Sequence, residues 1–258
     1  MQWEMVDEGW GRKAVDFATL SEPSNCREYV TMHQRLGIGH GDRVLDMACG
    51  SGLALELAAI RGASCAGIDA SPRLVAIARD RSPDADIQVG DMGALPWDDG
   101  SFSIVTSFRG IWGTTPGAVD EAFRVLAPGG RLALTCWGNV GRSDGAWMMA
   151  PFLWATEDSV EHQSEMVSLG RPGVGEAFLA ERGFEVEERF AIPFYFEYAD
   201  PDTYARGLAA TGPAYEAIQS IGEDEFLART AELARQHVRD GLPLRGRIQL
   251  FGYIGTTP

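Results

Sequence analysis

The stretch from Arg43 to Arg79, RVLDMACGSGLALELAAIRGASCAGIDASPRLVAIAR, constrains the fold more than any other part of the chain. Arg43–Met47 is a short apolar run led by Val44 and Leu45, the pattern of a buried parallel strand. Ala48–Gly52 supplies a tight turn in which Gly50 and Gly52 can take backbone angles closed to other residues and let a ligand approach the main chain. Leu53–Arg61 is rich in Leu and Ala and reads as a helix whose free N–H groups and dipole point back at the turn. Cys65–Ile68 is a second buried strand, ended by Asp69. Ser71-Pro72 opens another helix, with Ser71 as cap and Pro72 in the first helical position.

Strand, glycine turn, helix, strand and terminal acid make a nucleoside half-site, in which the acid accepts hydrogen bonds from ribose hydroxyls. Two details narrow the ligand. The dinucleotide fingerprint G-x-G-x-x-G would need its third glycine where Leu55 stands. Asp46, at the end of the first strand, would repel a pyrophosphate but suits a positively charged amino group. A nucleoside with a cationic end and no phosphate fits, and S-adenosyl-L-methionine is such a molecule.

Composition narrows the partners. With 258 residues, 45% of them hydrophobic, the chain can form one large domain or a core with a lid. A net charge of −15 disfavours nucleic acid. Lys13 is the one lysine, so arginine carries nearly all the positive charge. Cys26, Cys49, Cys65 and Cys136 form no C-x-x-C pair and show no Cys/His ligand spacing, so no metal is expected. Two of them lie in the core motifs, which argues for reduced thiols and a cytoplasmic protein. The N-terminus is polar and acidic, unlike a signal peptide. No apolar run approaches the roughly 20 residues of a membrane span, so no membrane partner is expected.

VLDMACGSG with GIDAS, then GDMGALPWDDGSF and RVLAPGGRLALT, occur in that order. Together they resemble the class I S-adenosylmethionine-dependent methyltransferases, nearest to the UbiE-like branch that acts on small molecules. The resemblance runs from about Val44 to Trp137. It implies an α/β, Rossmann-like, doubly wound seven-stranded sheet of order 3-2-1-4-5-7-6, the last strand antiparallel, with a helical lid insertion. It implies S-adenosyl-L-methionine as cofactor and S-adenosyl-L-homocysteine as product. Carried onto this sequence, the cofactor site comprises Asp46, Ala48, Cys49, Gly50, Ser51 and Gly52 around the turn, with Asp69 and Ala70 at the ribose. Asp91 would accept from the adenine amino group, beside Gly90 and the Met92 main chain, and Leu74 would touch one adenine face. Ser107, Phe108 and Arg109, at the end of the fourth strand, would lie near the methionine end of the cofactor. Arg109 has three readings: partner of the methionine carboxylate, partner of an acidic substrate, or member of a salt bridge elsewhere. The family's acid after the Phe of that strand is Ser103 here, so the local hydrogen bonding must differ.

Three parts are expected: a helical cap over residues 1–40, the cofactor-binding core over 41–140, and the rest of the sheet over 141–258, with lid segments at about 141–175 and 191–245. Trp3, Trp10 and Phe17 lie in the cap, and the spacing of the last two puts them on one helical face. They either pack on the core or form a flap that shapes the acceptor pocket. A helix over Ser24–Leu36 carries His33, read as structural. Trp112 is either pocket wall or core. Ala146–Thr156 gathers two Trp, two Met and one Phe around Pro151, which should break or kink any helix there. Trp147 there belongs either to core packing or to the lining of a hydrophobic acceptor. The sixth strand is expected over Phe184–Phe190. An aromatic run follows, with Tyr195 as a candidate acceptor contact. Glu223–Arg239 reads as an amphipathic helix with Val238 near its apolar face. Arg247–Ile254 is the expected final strand.

No acceptor motif is visible; the Asn-Pro-Pro-Tyr pattern of amino-group methyltransferases is absent after the fourth strand. The expected activity is methyl transfer by in-line displacement to a small, largely apolar metabolite, with catalysis mainly by positioning and no assigned base. Two alternatives stand on the same scaffold: a non-transfer reaction such as cyclisation with the cofactor retained, and a sensor of the cofactor. A homodimer is compatible with the sequence.

Overall fold

The computed structural model describes residues 6–258; Trp3 lies outside them. Seven strands form one sheet of order β3-β2-β1-β4-β5-β7-β6. They are β1 Arg43–Met47, β2 Ser64–Asp69, β3 Asp86–Val89, β4 Phe102–Phe108, β5 Leu126–Trp137, β6 Glu185–Tyr198 and β7 Leu244–Thr256. The first five pair in parallel, and β7 runs antiparallel between β5 and β6. This is the order and the antiparallel strand that the sequence motifs imply.

Alternation along the strands separates two apolar layers. Val44, Ile104 and Ala133 face one, with Met32 and Leu36. Leu45, Val105 and Leu132 face the other, with Ala118, Val119 and Leu179. The helices are α1 Val6–Trp10, α2 Ala14–Asp16, α3 Cys26–Leu36, α4 Leu53–Ile60, α5 Pro72–Arg81, α6 Pro116–Val125, α7 Glu157–Met166, α8 Val174–Ala180, α9 Pro201–Ala209, α10 Gly212–Ile221 and α11 Glu223–Arg235. None among the described residues is long and apolar enough to cross a membrane. Gly52, at φ 85°, starts α4, and a Cβ there would fall 2.7 Å from the Ala78 Cβ of α5. The second glycine of the turn therefore serves both the backbone angle and the contact between the two helices. Ser71 caps α5 by accepting from Leu74 N at 3.2 Å. Ser103, in place of an acid, accepts from Arg43 N at 3.1 Å and bonds Asp42 at 3.0 Å, so a neighbouring carboxylate restores the negative group.

Two sequence expectations are corrected. The sixth strand does not stop at Phe190 but continues to Tyr198. Pro193 is tolerated because β6 is an edge strand, where a missing N–H can face outward. The last long helix stops at Arg235, and Val238 is exposed beyond it instead of lying on its apolar face. Pro151 lies inside Ala146–Trp154, which is a run of 3-10 turns and not an α-helix.

The N-terminal part is segmented. After α2 come a π turn over Phe17–Ser21 and a 3-10 turn over Glu22–Asn25. Trp10 and Phe17 are thus on different elements, yet their rings still meet edge to face at 5.7 Å. Trp10 packs against Gly212 at the start of α10, where a Cβ would come within 2.3 Å of its indole nitrogen. The N-terminal segments and the helices inserted between β6 and β7 therefore touch.

Candidate active site

The turn after β1 and the end of β2 are joined by Asp69. Its Oδ2 accepts from Gly50 N and its Oδ1 from Ser71 N, both at 2.8 Å. Each carboxylate oxygen retains a lone pair, so the group is oriented and still able to accept from a diol. Burial, with Asp7 and Glu22 nearby, raises its pKa against the pull of those two amides. Cys49 N donates to Ile68 O at 3.0 Å, and burial beside Asp69 and Asp46 pushes its thiol well up. Cys49 is buried, which keeps the thiol form and suits packing more than nucleophilic chemistry.

Asp46 is 2% exposed and accepts one neutral hydrogen bond, from Thr106 Oγ1 at 2.7 Å. Burial raises its pKa to about 8, and Asp69, Glu22 and Glu28 push the same way. A buried carboxylate among other carboxylates, without a cation of its own, is an electrostatic seat for a positive group. The set fits a nucleoside that carries an ammonium and a sulfonium. It does not fit a polyphosphate.

Glu22 escaped the sequence reading. It is 1% exposed and accepts from Ser51 Oγ, from Arg81 Nη1 and, at 3.4 Å, from Leu53 N at the start of α4. Burial raises its pKa. Arg81 also donates to Ser51 O at 3.0 Å and to Ala18 O at 3.1 Å. Phe17 lies 3.5 Å from where a Cβ on Gly50 would sit. Asp7 of α1 accepts from Ser71 Oγ and from Arg73 at 2.6 Å and 2.9 Å. The N-terminal segment is thereby stitched over both the glycine turn and the start of α5.

Past the end of β3, Gly90 N donates to Asp69 O at 3.0 Å. Asp91 accepts from Gly93 N at 2.8 Å and stays partly exposed. Ala70 and Met92 are half-buried, and Leu74 is buried. Ser107 uses its hydroxyl on Met47 O at 2.9 Å, and Phe108 packs on Tyr29 at 4.6 Å. Ser107 is buried, whereas Phe108 is half-buried. Of the three readings of Arg109, the structure displays the salt bridge: Nη2 lies 2.9 Å from Glu28 Oε2.

Acceptor candidates divide. Trp112 is half-buried and donates to Arg109 O at 2.7 Å. Tyr195 is turned away, against Arg245 at 4.0 Å and Arg27 at 5.7 Å. Strand alternation explains this, because Phe194, Phe196 and Tyr198 take the inner face. Those inner rings form a ladder. Trp137 meets Phe194 at 5.1 Å, Phe194 meets Phe196 at 5.1 Å, and Tyr198 meets Tyr204 at 5.3 Å. Tyr204 meets Trp147 at 5.7 Å, and Trp147 stacks on His237 at 4.0 Å. Two surface depressions of about 420 Å³ are lined by neither Asp46 nor Asp69: one borders Gly113 and Thr114, just past Trp112 in sequence, and the other borders Arg12 and Arg73.

Residues 45–134 match the family model described as "Methyltransferase domain". An uncharacterised protein of Mycobacterium tuberculosis is 31% identical over 88% of this chain and 86% of its own. The 27-O-demethylrifamycin SV methyltransferase of Amycolatopsis mediterranei is 27% identical over 86% of this chain and 84% of its own. Among solved structures, the [4+2]-cyclase SpnF shares the fold with a TM-score of 0.58 at 21% identity, over 90% of this chain and 81% of that one. The sheet order and the shared fold define a Rossmann-like α/β protein. The chain belongs to the class I S-adenosylmethionine-dependent methyltransferases and is an enzyme of that class.

Proposed function

We propose that the protein methylates a small, largely apolar metabolite, mainly by holding acceptor and donor in line. The observation that carries this reading is the aromatic ladder from Trp137, beside Arg109, to Trp147 in the segment after β5. Flat rings at that end of the sheet suit an apolar or aromatic acceptor.

The cofactor supplies an activated methyl group on a sulfonium. Asp69 and Ala70 would hold its ribose, Asp91 and the Met92 main chain its adenine beside Leu74, and Asp46 with the Ala48–Gly52 turn its amino acid end. Phe17 and Glu22 would cover the crevice and exclude water. Trp10 and Trp112 would shape the acceptor side. Alignment of reactants contributes most of the rate in such a transfer. The Amycolatopsis relative, by its name, acts on 27-O-demethylrifamycin SV, which supports a metabolite in that role here. The net charge of −15 opposes a nucleic-acid acceptor, and four free thiols suit the cytoplasm.

The test is incubation with S-adenosyl-L-methionine and a panel of apolar metabolites, with S-adenosyl-L-homocysteine measured by mass spectrometry. Product formation with an apolar acceptor is expected. Acceptor turnover without cofactor consumption would establish a non-transfer reaction instead.

A further inference from the structure

Arg109 is pinned on several sides. Its Nε donates to both oxygens of Glu28 at 3.2 Å and 3.1 Å, and its Nη2 lies 2.9 Å from Oε2. Its guanidinium carbon sits 4.8 Å from the Trp137 ring centre and 5.2 Å from that of Phe194. Glu28 has no exposed surface and also receives the Thr135 hydroxyl. The backbone of Arg109 is itself unusual, at φ 61°. One edge of the guanidinium is left over. Among the described residues Nη1 has no hydrogen-bond partner, and it is not among the buried polar atoms sealed off without one. The Arg109 side chain keeps 17% exposure.

Strand order indicates which ligand that edge serves. Arg109 follows β4, but its guanidinium reaches rings at the end of β5 and on β6. Asp69 ends β2, on the other side of β1. The cation has therefore swung from the cofactor half of the crevice toward the aromatic ladder. A buried ion pair is a poor source of stability, because desolvation offsets its attraction. A fixed guanidinium with a free edge beside an indole is, however, preorganised for an oxyanion on a planar ring.

We propose that Arg109 is a specificity-determining residue that binds the ionised hydroxyl of a phenolic or enolic acceptor through Nη1, with Glu28 and Thr135 as positioning residues. This rests on the reading of an apolar acceptor given above. The hydroxyl proton leaves to water before transfer. An electron pair of the acceptor oxygen then forms the new O–C bond as the C–S bond of the sulfonium breaks, and that bond's pair stays on sulfur. Arg109 holds the oxygen and favours its ionised form, so no side-chain base is required next to it.

The test uses the full chain saturated with S-adenosyl-L-homocysteine, with 4-nitrophenol and its hydroxyl-free analogue nitrobenzene as probes. The phenolate band in the visible spectrum reports ionisation of the bound phenol. In the wild type the apparent pKa of 4-nitrophenol should fall on binding, and the phenolate should bind on the order of tenfold tighter than nitrobenzene. Arg109→Met could fail to fold by stranding the Glu28 charge, so it is paired with Arg109→Met plus Glu28→Gln, which removes both charges together. That double variant should keep its affinity for S-adenosyl-L-homocysteine and lose the phenolate preference. A double variant that retains the preference overturns the proposal. So does one that loses cofactor-product affinity with the preference intact, since Arg109 would then serve the cofactor. Equal binding of both probes by the wild type sinks only the Arg109 assignment. Binding of neither sinks the apolar-acceptor reading as well.

Discussion

Ala48 and Arg109 are the only non-glycine residues with positive φ among the described residues, at 59° and 61°, and they lie together at the ends of β1 and β4. Gly110 fits between them: a Cβ there would fall 2.4 Å from the Ala48 Cβ and 2.9 Å from Ser107 Oγ. Such backbone costs on the order of 1–3 kcal/mol per residue and persists where the surroundings enforce it. The strain is placed where the strand ends open toward the ligands.

Gly110→Ala should therefore destabilise the protein by roughly 1–3 kcal/mol, because neither Ala48 nor Met47 O can yield freely. Urea unfolding reads this directly. A midpoint equal to that of the wild type would show that the strand ends are not packed as described.

Asp69→Ala should weaken binding of S-adenosyl-L-methionine by roughly 1.5–3 kcal/mol, through loss of charge-assisted bonds to ribose. It also leaves Gly50 N and Ser71 N without their acceptor. Isothermal titration measures the affinity, and an unchanged value would refute the assignment.

The raised pKa of Asp46, about 8, makes a signed prediction. The folded chain holds this proton more tightly than the unfolded chain does. The resulting stability is fully present below the ordinary carboxylate range and is lost as pH rises to about 8, at no more than about 1.4 kcal/mol per pH unit. Affinity for the cationic cofactor should rise over the same interval, with proton release on binding. Asp46→Asn should flatten both trends relative to the wild type, as read by thermal unfolding and by titration in buffers of different ionisation enthalpy. Parallel profiles for the two proteins would exclude Asp46 as the source.

Trp147→Ala removes the stack on His237 and the contact with Tyr204, aromatic contacts worth about 0.5–1.5 kcal/mol each beyond area burial. Acceptor turnover should fall while cofactor affinity holds. Collapse of cofactor affinity in a folded variant would contradict the separation of the two sites.

The first strands and the helices between them were legible because their determinants are local: apolar runs, a glycine turn and Ser71 before Pro72, whereas the order of the sheet came from the resemblance to the family. Glu22 and Glu28 were not legible. Nothing near them in sequence marks a buried acid, since their partners Arg81, Ser51, Arg109 and Thr135 come from distant elements. The outward turn of Tyr195 was not legible, because a sixth strand expected to end at Phe190 does not carry alternation on to the inward set Phe194, Phe196 and Tyr198.

Tyr198 and Leu244 are opposite partners in the β6–β7 ladder, so everything from α9 to α11 leaves the sheet and rejoins it at a single rung. The closure entropy of such an excursion grows only slowly with its length, about 0.6 kcal/mol per doubling. The attachment of the segment at one rung leaves the neighbour of every strand independent of the segment's length, and what fixes the segment in place is its packing on the N-terminal part, as at Gly212 against Trp10.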